Sequence, residues 1–282
     1  MTTPPYLYRP IVDRPPLRWP GGKRVAVYVG LNVEHFVPGL PSTSIWPPTA
    51  ELVPDPLNHG WRDYGNRVGI WRLAGILDRH GVRASVLLNS AVAEHYPRII
   101  EAGRARDWAW LAHGRTNSVL HNGFGPQEER EVLTDIVRTI TEATGRPPRG
   151  WMGPALSETE HTPELLAELG FGYLLDWTND DQPYELTVPG MLSVPYTVEL
   201  NDLQVFAKHT GPDFLEMVKD AHEVLAEEGG RVLPLALHPF VIGQPFRAKY
   251  LDLALGYLAA QPDVWLTTSD EIAEHYRGTL SR

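Results

Sequence analysis

Residues 24–32, RVAVYVGLN, form a near-continuous apolar, β-branched run, the pattern of a strand covered on both faces inside a parallel sheet. Downstream of it the hydrophobic period alternates between 3.6 and 2. A helix is expected near 66–80, the strand VRASVLLN near 82–89, a helix near 90–104 and the strand WAWLAHG at 108–114. The helix PQEEREVLTDIVRTITEATG, 126–145, follows, with Pro126 in its first turn and Gly145 at its end, as helix boundaries prefer. Then come the strand RGWMG, a short helix with Thr162 as N-cap and Pro163 at its first position, and the strand YLLDW at 173–177. Short strands near MLSVPY and VEL precede a helix at 212–228. The buried strand RVLPLALH, the helix RAKYLDLALGYLAA, the strand VWLTT and a last helix capped by Ser269 complete the chain. About seven strands alternating with helices, with no repeat or interior linker, define an α/β protein whose parallel sheet can close into a barrel.

The 282 residues are 43% hydrophobic and 21% charged, enough apolar material for a sizeable core. Residues 1–23 carry six prolines before Lys23, which excludes helix and central strand and predicts an extended arm. That leaves 24–282 as the barrel domain. A net charge of −10 argues against nucleic-acid partners, which call for a basic stripe. No window approaches 18 uninterrupted apolar residues, and the start lacks a basic stretch followed by an apolar one, so neither a membrane partner nor a secretory signal is expected and the location predicted is cytoplasmic. With no cysteine in the chain, any metal must sit on His and carboxylate. The long proline-rich loop at 36–64, ending in NHGWRDYG, is expected to cover a site for a small-molecule substrate.

In parallel barrels the pocket is lined by side chains just after each strand, and here they are chemically rich. LNVEHF places Asn32 and Glu34 two residues apart, on the same side of an extended chain. AHGRTNSVLH sets His113 at a strand end with Asn117 four residues on and His121 beyond. LLDWTNDDQPY clusters Asp176, Asp180 and Asp181 just after a strand, with Trp177 and Tyr184 as aromatic walls, and LALHPFVIGQPFR delivers His238 before Pro239, with Arg247 opening the next helix. Each has a plain structural reading as well: a solvated Glu34, a hydrogen-bonded His113, Asp180 and Asp181 as turn formers. His238 suits proton donation, since an imidazole exists in both forms near neutrality.

This order of motifs resembles the polysaccharide deacetylase, or NodB homology, superfamily, and within it the branch of the metal-independent allantoinase. The likeness runs from RWPGGKRVAVYVGLNVE through HGWRDYGNRVGIWRL, AHGRTNS, GWMGPALSETEHTPELLAELGFGYLLDWTNDDQPY and VPYTVELND to ALHPFVIGQPFRAKYLDLALGYL and VWLTTSDEIAEHY. The resemblance implies a distorted (β/α)7 barrel that hydrolyses amide bonds, and a homo-oligomer, dimer or tetramer. The chain departs from the metal-dependent pattern. Asn32 stands where the general base Asp would be, Glu34 at the first ligand position, His113 at the second, and Asn117 replaces the second His. One carboxylate, one imidazole and one amide oxygen hold zinc poorly. The set Glu34, His113, Asn117 is therefore at most a weak metal site, and no cofactor is expected beyond a loosely held zinc.

An amide cannot accept a proton at neutral pH, so the general base passes from Asn32 to Glu34, with His35 and His113 as alternatives. The expected cycle has Glu34 and His113 activating water and His238 protonating the leaving nitrogen, oriented by Asp181 or Arg247. The oxyanion would be held by Asn117 with Arg247, a backbone amide near Gly114 or Trp151 Nε1. Asn32, Trp151, Trp177, Asp180 and Tyr184 would line the pocket, and the segment from His59 through Trp61 to Asp63 would close it. The leading expectation is a hydrolase of a small cyclic or linear amide or ureide. The alternatives are a metal-dependent deacetylase of N-acetyl sugar or peptidoglycan, and an inactive barrel that binds a ureide or sugar.

Overall fold

The computed structural model describes residues 3–280. Among the described residues nine strands form one sheet: β1 (Val25–Val33), β2 (Ala84–Leu88), β3 (Ala109–Ala112), β4 (Gly150–Trp151), β5 (Tyr173–Leu174), β6 (Tyr184–Glu185), β7 (Leu192–Ser193), β8 (Arg231–Leu237) and β9 (Val264–Leu266). The spatial order is β6-β7-β5-β4-β3-β2-β1-β8, all parallel except the β6–β7 pair. The opening apolar run is the centre of this arrangement. One edge of β1 pairs with β8 over Val25–Leu31, while β9 pairs with Val25–Val27 and β2 with Val29–Val33. A strand has two edges, so β9 and β2 share the second one in succession.

The sheet curls without closing by a continuous ladder. Beyond β8 the barrel is completed by single contacts, Val232 N donating to Asp181 O (2.9 Å) and Ala236 bridging to Asn201. The result is an α/β single domain with a half-barrel sheet, the distorted barrel expected from the sequence.

Alternation along the strands sorts the core into two layers. Val25, Val27, Val29, Leu31 and Val33 of β1 pack outward with Ala112, Leu235 and Leu237 beneath the helices. Ala26 and Tyr28 pack inward with Leu111, Met152, Tyr173, Val194, Tyr196 and Ala236. Because the side-chain period is two, Asn32 shares the inward face with Ala26 and Tyr28. His113 and His238 continue the inward series of Leu111 and of Ala236.

Several boundaries differ from the sequence reading. The loop expected at 36–64 ends in a helix, Pro56–Tyr64, which Asp55 caps by accepting from Asn58 N. The helix expected at 66–80 begins as a π-helical turn, Gly65–Gly69, before Ile70–Arg79. There Gly69 lies against the backbone that follows β8; a Cβ would stand 1.9 Å from Pro239 O. The helix expected at 90–104 is broken into Ala91–His95 and Pro97–Ala105, because Pro97 has no N–H to continue the ladder.

Thr162 is not the N-cap but the first residue of its helix, which His161 precedes; its hydroxyl donates to Glu129. Ser269 likewise starts the last helix, and Thr268 supplies the cap by accepting from Glu271 N. VEL is a turn rather than a strand, folded around the Thr197 hydroxyl, which accepts from the Glu199 and Leu200 amides. Directly after it lies a helix absent from the sequence reading, Asp202–Lys208. The helix at 126–145 forms as Pro126–Thr144, ended by a left-handed Gly145 (φ 83°).

The described part of the arm, residues 3–23, lies on this chain's own barrel. Pro5 O accepts from Thr187 N, Arg14 pairs with Asp180, and Trp19 is buried with Nε1 donating to Arg231 O. Met1 and Thr2 of the expected arm, and Ser281 and Arg282 of the expected barrel domain, fall outside the described residues. No helix among the described residues is long and apolar enough to cross a membrane.

Candidate active site

The inward-facing strand ends converge on Glu34. Its Oε1 accepts from Asn117 Nδ2 at 2.5 Å and lies 3.5 Å from His113 Nε2 and 3.8 Å from His238 Nε2. Glu34, His113 and His238 are all buried, so these contacts act where water does not screen them. Main-chain anchors hold each one. Asn66, in the π turn, donates to Glu34 O; His113 N continues the sheet to Leu88 O; Asn117 N donates to His35 O.

Asn89, at the end of β2, joins the elements. Its Oδ1 accepts from His35 N, and its Nδ2 donates to His113 O and to Asn117 Oδ1. The sequence reading passed over Asn89, although its place at a strand end was the available signal. Gly114, at φ +65°, turns the chain between His113 and Asn117, and a Cβ there would meet Pro154 at 2.5 Å.

The two histidines differ in protonation logic. His113 Nδ1 is 2.7 Å from Met152 O, a pure acceptor, so Nδ1 carries a hydrogen and, in the neutral tautomer, Nε2 is the free acceptor on the Glu34 side. His238 Nδ1 lies 2.6 Å from Asp202 Oδ1, while Asp202 Oδ2 accepts from His238 N and Ile242 N. Burial pulls the His238 pKa down, but the Asp202 and Glu34 carboxylates outweigh it and the net shift is upward. That favours the imidazolium form of His238, with Nε2–H directed at the site.

Asp202 corrects the expected orienting group. Asp181, proposed for that role, has its carbonyl bonded to Val232 N at the start of β8. That is six residues before His238, about 20 Å along the strand. Arg247, the other candidate, stacks over Phe206 and Phe246 and donates to Val241 O. It feels the charge of Asp202 but makes no direct bond to His238. Asp202 lies just after VEL, in a stretch to which the sequence reading gives no element; Asn201 as a cap residue, with Leu203 and Phe206 at helical spacing behind it, was the signal to find it.

Other expected pocket residues lie elsewhere. Trp151 faces the outer layer, edge-on to His121 and Phe171, because strand alternation points it away from Met152 and the barrel interior. Trp177 and Tyr184 pack edge-on against Tyr6 of the arm, and Asp180 pairs with Arg14. Asp180, Asp181 and Tyr184 line a cleft of about 580 Å³ beneath the arm. Trp177 lines a second cleft of about 490 Å³ with Glu158 and His161. Trp61 does stand beside the site, edge-on to Phe240 at 4.8 Å, and Phe240 in turn lies 5.5 Å from His238. His35 stacks flat on His95 at 4.1 Å, and burial with the neighbouring His95 and His59 pushes its pKa down to about 4. That places its ring away from Glu34 and makes it a poor base.

The donor set does not fit a tightly held metal. Asn117 turns its Nδ2, which has no lone pair, to Glu34, and its oxygen to Asn89. Glu34 and His113 are left as a pair without a third ligand. Among the described residues no three His, Cys, Asp or Glu side chains stand in metal-binding geometry.

A curled parallel half-barrel sheet with ionisable side chains gathered at its strand ends matches the distorted barrel of known structures. The polysaccharide deacetylase family model matches residues 62–174, and over that span the chain is similar to the polysaccharide deacetylases. Its likeness includes the allantoinase branch. The solved structure of PuuE allantoinase superposes with a TM-score of 0.85 at 28% identity, covering 95% of each chain. A Pseudomonas aeruginosa PAO1 structure assigned to the polysaccharide deacetylases gives 0.84 at 28% identity, covering 94% of this chain and 95% of that one. A Schizosaccharomyces pombe protein with the same assignment is 26% identical over 279 residues, 90% of this chain and 86% of its own.

Proposed function

We propose that the protein is a hydrolase of non-peptide C–N bonds, acting on a small cyclic or linear amide or ureide without a tightly bound metal. The observation that carries this reading is the convergence of Asn117, His113 and His238 on Glu34 Oε1. The allantoinase likeness supports the substrate class. A water beside Glu34 gives its proton to that carboxylate, or to the bare Nε2 of His113, as its oxygen bonds to the substrate carbonyl carbon. Asn117 holds the carboxylate in place. The C–N bond then breaks as the nitrogen takes the proton of His238 Nε2, with Asp202 stabilising the imidazolium beforehand. Cleavage leaves a carboxylic or carbamic acid and a protonated amine or urea nitrogen, joined in one product when a ring is opened, and the proton on Glu34 returns to His238.

The test is a release assay for ammonia or acid across hydantoins, ureides and N-acetyl sugars, with and without chelator. Turnover of a ureide or cyclic amide that survives chelation is expected. Chelator-sensitive turnover confined to N-acetyl sugars would overturn the reading in favour of a metal-dependent deacetylase.

A further inference from the structure

Asn32 occupies the interior of the barrel at 1% exposure, two residues from Glu34. Its Nδ2 donates to Leu237 O and to Tyr196 Oη, both at 3.1 Å. A main-chain carbonyl can only accept, so the amide has one permissible orientation. Both N–H groups are thereby consumed, and Oδ1 is buried with no hydrogen-bond partner among the described residues. Buried polar atoms are almost always paired, and leaving a buried acceptor bare is costly. Tyr196 reinforces the pattern. Its oxygen accepts from Asn32, its own hydrogen remains to be given, and it lies within electrostatic reach of Glu34 and Asp202. The barrel therefore offers an acceptor and a donor side by side, next to the group that activates water.

We propose that Asn32 Oδ1 and the Tyr196 hydroxyl together read one edge of a cis amide, Asn32 accepting its N–H and Tyr196 donating to its carbonyl oxygen. Asn32 is then a specificity residue rather than a lost base, and the substrates selected are ring ureides and lactams that carry a hydrogen on nitrogen. Esters, ketones and N-alkylated rings of equal size are rejected because they leave Oδ1 unpaired, the asymmetry by which polar sites discriminate. This rests on the proposed function only in taking this end of the barrel as the ligand site.

The test is equilibrium binding by ligand-observed NMR titration, using 2-imidazolidinone and cyclopentanone. These share ring size and carbonyl and differ by N–H against CH2. The full-length protein should bind the cyclic urea at least about tenfold more tightly, as expected for one buried polar contact. In Asn32→Ala, checked for folding by circular dichroism, that preference should shrink to within about threefold of unity. Tyr196→Phe should weaken both ligands alike and keep the preference. Absence of preference in the unsubstituted protein, or its persistence in folded Asn32→Ala, would overturn the proposal. Because binding is read without turnover, a protein that shows the preference yet hydrolyses no ureide would refute the hydrolase reading and leave this one standing.

Discussion

Asp202 Oδ1 lies 2.6 Å from His238 Nδ1, and the same carboxylate accepts from the His238 and Ile242 amides. One side chain thus fixes the imidazole's position, tautomer and charge together.

The charge has a consequence for pH. His238 is raised above its ordinary 6.5, with burial opposing and Asp202 and Glu34 prevailing. Its protonated form persists past 6.5 and is lost as pH climbs through the raised value, so kcat should fall on the alkaline side with His238 as the titrating group. Asp202→Asn should move that limb to lower pH and reduce kcat about a hundredfold or more. A pH–rate profile of the two proteins checks it; an unmoved limb would remove His238 from the acid role.

Glu34 is the common neighbour of Asn117, His113 and His238. Glu34→Gln keeps the shape but removes the base, and turnover should drop by about two orders of magnitude with melting temperature little changed. His238→Ala should cost a similar factor. Full activity in Glu34→Gln would refute the assignment.

Asp181 sits at the opposite end of β8 from His238, joined through Val232. Asp181→Asn should therefore leave kcat/KM within about twofold, the behaviour of a site outside the reacting geometry. A hundredfold loss would place it back beside His238.

Gly69 admits no side chain, since a Cβ would meet Pro239 O at 1.9 Å. Gly69→Ala must push the segment after β8 outward and should destabilise the fold by about 2 kcal/mol or more. His238 immediately precedes Pro239, so activity should decline alongside. Urea unfolding and steady-state kinetics on one preparation separate the two effects.

Glu158 is raised to about 7, first by burial and then by Glu129. The folded state holds this proton more tightly than the unfolded chain does. The resulting penalty is absent below about 4.5, grows as pH rises, and is complete above about 7. Glu158→Gln should raise the melting temperature at pH 8 and have little effect at pH 4.5, measured by calorimetry.

Much of the fold was legible because it follows from local rules. The apolar run at 25–33 could only be a central strand, and Pro126 and Gly145 bracket their helix by the chemistry of its ends. Boundaries failed where a single side chain decided them: the Thr197 hydroxyl folding VEL into a turn, Pro97 splitting one helix, Asp55 starting another inside a loop.

For the site, the sequence by itself determined which chemistry stands at the strand ends. Alternation with period two puts Asn32, Glu34, His113 and His238 on the inward side, and that requires only the residues between them. The same alternation turns Trp151 outward, once the register of β4 is known. Only the tertiary structure decided partnerships. Asp202 meets His238 across 36 residues because Asn201 bridges to Ala236 of β8, and Asn32 is oriented by a carbonyl 205 residues away. Such contacts depend on how distant strands register, which no local spacing encodes.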